Sequence, residues 1–143
     1  MRFEDLPYDR RIATLKTLYR RFNREFYNNQ LSDVSLDICN LGRKDLTGNY
    51  FRDEVFPEGR IEVDYGYITE ASTQLLQVRR LSVVLLHEMV HHYCYLNGIT
   101  DEANGLHLPA FYEIARTHGL FYDEDAEGLN VAAWIITSHY RMR

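Results

Sequence analysis

Cysteine is scarce in this chain. The two present, Cys39 and Cys94, lie far apart, which excludes a disulfide framework and a four-cysteine zinc ribbon. No apolar run reaches the length of a membrane span. The opening MRFEDLPYDRR is charged and lacks the apolar stretch of a secretory signal. Repeats, low-complexity tracts and linker-like segments are missing too. One domain over residues 1–143 is therefore expected, in a soluble, cytoplasmic protein. An excess of positive charge is also lacking, and a net charge of −5 gives no global attraction to nucleic acid.

The composition is that of a globular chain, 45% hydrophobic and 26% charged, and 143 residues suffice for one domain with a real core. Charge is unevenly spread. Residues 1–24 carry seven Lys or Arg against three acids, and residues 101–127 carry seven acids against one Arg. The N-terminal cations suit either a solvated helix face or a local basic surface.

Periodicity organises the first half. Tyr8, Ile12, Leu15, Tyr19, Phe22 and Phe26 recur at steps of three and four, predicting a helix over about 10–27 with Asp9 as N-cap and Asn28-Asn29 as its end. Val34, Leu36 and Ile38 alternate as in a half-buried strand. Thr47 to Phe51 and Arg60 to Asp64 read as two more strands, and the short links favour an antiparallel meander. From about Ser72 the chain turns helical as far as Leu96, as one helix or two pieces, with Asn97-Gly98 as a stop. Thr100 to Leu108 reads as a polar loop. Pro109 then opens a helix that Gly119 ends, Phe121 to Gly128 is loop-like, and Val131 to Tyr140 reads as a last helix. The fold class is α+β.

Inside the long apolar helix stands His87-Glu88-Met89-Val90-His91. Residues four apart share a helix face, so His87 and His91 can grip one metal ion, with Glu88 beside any water the ion binds. A catalytic zinc keeps three protein ligands and one open position. The remaining candidates are His92, His107, His118, His139, Glu102 and Glu113. His92 is turned about 100° from His91 on the helix. The metzincin spacing calls for a histidine at 97 and a glycine at 94, where this chain has Asn97 and Cys94. His107 is the best choice, since Gly98 and Gly105 can turn the chain back and Pro109 fixes its exit. His92, His118 and His139 otherwise read as surface or packing histidines, and Cys94 as a small buried apolar residue. Glu88 would act as general base and then general acid in amide hydrolysis. Tyr65, Tyr67, Tyr112 and His118 all remain open as donors to the developing oxyanion. The strand Arg60 to Asp64 could be an edge to which an extended peptide adds.

The run LLHEMVHHY, followed by His107-Leu108-Pro109-Ala110-Phe111, resembles the SprT-like, or Spartan-type, metallopeptidase domain, which shows HEMxH on an apolar helix and then a GHGPxF segment. Phe22-Asn23-Arg24-Glu25-Phe26, Gly48-Asn49-Tyr50-Phe51 and Arg60-Ile61-Glu62-Val63 are similar to that family's first helix and strands, so the likeness spans about residues 10–120. The resemblance implies a zincin-like domain, with His87, His91 and His107 as Zn2+ ligands and Glu88 as the catalytic acid/base. It departs from the family at Gly105-Leu106-His107-Leu108, and the tail lacks the cysteines of the zinc ribbon found in many relatives. It implies a protein or peptide substrate, including proteins crosslinked to DNA. Arg10, Arg11, Lys16, Arg20, Arg21 and Arg24 are the candidate DNA contacts. Two rivals are a non-proteolytic binding module stabilised by a closed zinc site, and a hydrolase of small amides.

Overall fold

The computed structural model describes residues 2–43, 46–120, 122–123 and 128–129. The expected helix at Val131–Tyr140 and the candidate ligand His139 lie outside them. Helices α1 (Tyr8–Tyr27), α2 (Tyr65–Thr69), α3 (Gln74–Leu96) and α4 (Pro109–Thr117) combine with strands β1 (Ser35–Cys39), β2 (Gly48–Phe51) and β3 (Arg60–Asp64) in a mixed α+β arrangement. Two short hairpins follow α3: β4 (Glu102–Ala103) with β5 (Leu106–His107), and β6 (Tyr122–Asp123) with β7 (Gly128–Leu129). Both fall where loops were expected.

α1 buries Leu15, Tyr19 and Phe22 of the predicted stripe, whereas Tyr8 at its start is exposed. It starts two residues before the expected Arg10, with Pro7 rather than Asp9 at the cap. Proline's fixed φ suits that position, and Asp9 falls in the first turn, where its charge favours the helix dipole. Asn28 ends the helix in the left-handed conformation. α3 is one continuous helix. The Thr73 side chain caps it, accepting from Leu76 N at 3.2 Å. Leu81, Val84, Leu85, Leu86 and Met89 are buried, so α3 runs through the core beside α1 and the sheet residues Ile38, Ile61 and Val63.

The sheet is not the expected antiparallel meander. Its order is β1-β3-β2. β1 pairs with β3 in parallel, Leu36 opposite Ile61, and β2 pairs with β3 antiparallel, Gly48 opposite Val63. Two causes combine. β3 alternates most strongly, with Ile61 and Val63 fully buried, so it takes the centre, where both edges are bonded. The link over residues 40–47 is long enough to cross two interstrand spacings of about 4.8 Å each. Sequence neighbours therefore need not pair. β3 is accordingly not an edge to which a peptide could add; β2 is the sheet edge on that side.

β2 approaches α3 closely because it begins with glycine. A Cβ built on Gly48 would lie 2.3 Å from Val84 Cγ1 and 3.4 Å from Glu88 Oε2. Gly48→Ala should therefore destabilise the protein by about 1–3 kcal/mol, the usual cost of overpacking a filled core. In a double-mutant cycle by urea denaturation, Val84→Ala should relieve part of that loss; simple additivity would refute the clash.

Candidate metal centre

α3 delivers His87 and His91 one turn apart on one face, and its end redirects the chain towards them. Gly98 is left-handed (φ 66°), Gly98 N donates to Tyr95 O at 3.2 Å, and Ile99 N donates to Cys94 O at 2.8 Å. This is a Schellman stop. It sends the chain back along the helix into the β4–β5 hairpin. The two turn residues, Asn104 (φ 55°) and Gly105 (φ 78°), are both left-handed, as a two-residue hairpin loop requires. His107 leaves the second strand of that hairpin, and Pro109 starts α4 two residues later.

The three imidazoles converge. His107 Nε2 lies 3.2 Å from His87 Nε2 and 3.2 Å from His91 Nε2. Phe111, fully buried in α4, lies against all three rings, with centroid distances of 4.8, 4.8 and 4.4 Å to His87, His91 and His107. His91 Nδ1 faces Asp101 Oδ2 at 2.6 Å, so it carries the proton and turns its Nε2 lone pair towards His107. His107 Nε2 faces two other Nε2 atoms, and one N–H could be aimed at only one of them. At least one lone pair therefore meets another, a repulsion that a cation would remove. Burial, reinforced by the neighbouring histidines, lowers His87 to about 3, so its imidazole is neutral at pH 7; burial first, then His91, also lowers His107.

Glu88 is buried beside this cluster, with Oε1 3.9 Å from His91 Nε2. Burial, helped by the charges of Glu102 and Asp101, pushes its carboxyl up to about 8. A cation at the imidazoles would oppose that shift. The cluster opens into a cleft of about 730 Å³ lined by β2 on one side and by Asp101, Glu102 and Gly105 on the other.

Asp101 is the residue that the sequence reading missed. Its carboxylate orients His91, and its carbonyl accepts from Leu108 N at 2.8 Å, closing the base of the hairpin that carries His107. Nothing in local periodicity marks it. The hairpin does carry a signal, Asn104-Gly105 between short extended runs, although the polarity of the segment points to a loop.

The other candidate ligands are placed elsewhere. His92 is fully buried and packs as expected: Nδ1 lies 2.8 Å from Tyr50 OH and Nε2 3.1 Å from Ser32 O. His118 packs against the Tyr27 and Tyr93 rings, with Nδ1 2.8 Å from Ile114 O. Glu102 lines the cleft and Glu113 an adjacent groove, outside the ligand group. Of the four open oxyanion donors, Tyr112 adjoins His107, with ring centroids 6.1 Å apart. Tyr65 lies under Arg11 and Tyr67 under Arg80. Arg10, Lys16, Arg20 and Arg24 are exposed on α1, while Arg11 and Arg21 are half-buried; none of the six lines the cleft.

A second group close enough for a metal ion is Asp37, Cys39 and Glu62, on adjacent strands. Its carboxylates are already engaged. Arg60 reaches Asp37 Oδ2 at 2.6 Å and Glu62 Oε2 at 3.0 Å, and the Tyr8 hydroxyl donates to Asp37. A guanidinium meets the charge there, whereas among the described residues no cationic side chain is paired with the imidazoles.

Two measurements test this account. Folded Glu88 keeps its proton up to about pH 8 and the unfolded group releases it near its ordinary 4.5. Stability of the chelator-treated protein should therefore fall as pH rises between those values. His87 acts in the opposite sense, costing stability as pH falls from 6.5 to about 3. Between pH 6.5 and 8 the Glu88 effect should dominate, and Glu88→Gln should abolish that slope in urea titrations. Asp101→Asn should weaken divalent-metal affinity about 10- to 100-fold in chelator competition, through loss of the histidine's orientation. Compared with protein-family models and with curated proteins, the chain matches none.

Proposed function

We propose that this chain is a zinc-dependent endopeptidase of the SprT-like class, with a zincin-like fold. The observation that carries the reading is the pair of 3.2 Å separations at His107 Nε2. Nitrogens bound at 2.0–2.1 Å to one tetrahedral ion lie about 3.3 Å apart, so the donor set fits zinc with little movement. The group has three side chains among the described residues, the number a catalytic site uses; a closed structural site would need a fourth.

Zinc, when held by His87, His91 and His107, would acidify a water and polarise the scissile carbonyl. The chain's own residues would do the rest. Glu88 sits beside the ligands and would take the proton of the attacking water, then hand it to the leaving amine. Its burial excludes competing solvent and keeps the carboxylate basic. Tyr112 is the nearest of the candidate donors to the developing oxyanion. The open edge of β2 lines the same cleft, so an extended peptide can pair with it and pass the imidazoles. Proteins bound or crosslinked to DNA are the substrate class that the resemblance implies. The exposed Arg10, Lys16, Arg20 and Arg24 form a separate surface on α1 that could meet phosphate.

The test is cleavage of a DNA-bound protein by the wild-type chain and by Glu88→Gln, with and without single-stranded DNA. The variant should lose cleavage at least 100-fold, the order expected for removing general acid-base catalysis, and still hold one zinc per chain by elemental analysis. Undiminished cleavage by the variant would falsify the mechanism. Absence of zinc from both proteins would remove the metal centre. Stimulation by DNA would extend the reading to DNA-associated substrates; its absence would leave a general peptidase.

A further inference from the structure

The cleft has two electrostatically different walls. The hairpin wall carries Asp101 and Glu102, and the β2 wall carries Arg52. Arg52 is held firmly. Its guanidinium lies 3.8 Å from the ring centre of Tyr95, Nη2 donates to the Pro57 carbonyl, and Nη1 is 3.4 Å from Tyr50 OH. Tyr50 is itself fixed through its 2.8 Å contact with buried His92. Arg60, by contrast, has Asp37 and Glu62 as ionic partners. Among the described residues Arg52 has no ion pair. Two of its five N–H donors are engaged, and the others are left for a ligand. A planar fork held by stacking suits a carboxylate.

Its place in the cleft defines which carboxylate. β2 starts at Gly48, against Glu88, and runs towards Arg52, roughly 13 Å further along an extended strand. On α3, Tyr95 stands one turn beyond His91. An extended peptide pairing antiparallel to β2 would place its reacting carbonyl near Glu88 and its preceding residues towards Arg52.

We infer that Arg52 is a specificity-determining residue, reading an acidic side chain three or four residues before the scissile bond. This rests on the endopeptidase reading for the position of that bond. Recognition itself needs only the cleft. The hairpin wall, negative through Glu102, disfavours an acidic residue on the other side of the substrate, so a charge preference would also fix its lateral placement.

The test is binding to the zinc-loaded Glu88→Gln protein, read by fluorescence anisotropy. The probes are amidated peptides with Glu, Gln or Lys walked through each position. Glu at one position should improve affinity about tenfold over Gln, the value of one charge-assisted pair. In the Arg52→Glu background the preference should reverse to Lys, an outcome that a misfolded variant could not give. No Glu preference, or one unchanged by Arg52→Glu, overturns the inference. A gain only for peptides with a free C-terminal carboxylate, dependent on Arg52, would assign the recognised group to the chain end and overturn the side-chain assignment. Cleavage of the same peptides by wild-type protein is scored separately. Arg52-dependent binding without cleavage leaves the inference standing and removes the peptidase reading. Cleavage without charge preference does the reverse.

Discussion

Three imidazoles meet nitrogen to nitrogen, and much of the chain is arranged to hold them there. Two come from one helix face and cost nothing in topology. The third must travel back from beyond the helix end. The Schellman turn at Gly98, the hairpin turn at Asn104-Gly105 and the proline at the start of α4 each make one bend of that return. Phe111 then closes the cluster from beneath, touching every ring. A change in any of these bends moves His107 relative to the other two, although none of them touches an imidazole nitrogen.

Asp101 couples the two sources. Its side chain fixes which nitrogen of His91 carries the proton, and its backbone carbonyl ties down the strand that presents His107. One residue thus sets both the chemistry of one imidazole and the position of another. Gly48 does comparable work on the opposite wall. Without a side chain it lets the sheet edge lie on α3 beside Glu88, so the open strand and the buried carboxylate share one cleft. The helix therefore serves as core, histidine platform and cleft floor together, which explains why its apolar pattern runs nearly all round.

Much of what was local in cause could be read from sequence. The stripe of α1, the burial of α3, the proline at the start of α4 and the paired histidines follow from spacing along one element. His107 was reachable by elimination, because few side chains remained that could supply a third donor. The strand order was not. β3 takes the centre because Ile61 and Val63 bury best, a competition among three strands that no single strand displays. Asp101 was likewise hidden, since its role exists only once the chain has doubled back upon His91. The hairpin at Asn104-Gly105 is a different case. Its signal was present, and the acidic, polar character of the surrounding residues masked it.

The electrostatics of the site point one way. Burial keeps His87 neutral and lifts Glu88 towards its protonated form, while Asp101 and Glu102 add negative charge at the same place. A stability-optimised core would carry none of these groups. Each penalty has one relief in common: a positive charge among the imidazoles would satisfy the converging lone pairs, return Glu88 to its basic form and balance the two acids. Asp37, Cys39 and Glu62 show the alternative within the same fold. There the chain supplies Arg60 to meet the acids, and the sheet face is quiet. At the histidines no such side chain stands among the described residues. The electrostatic cost is concentrated where an ion would relieve it, and the buried carboxylate would turn basic only with such an ion beside it.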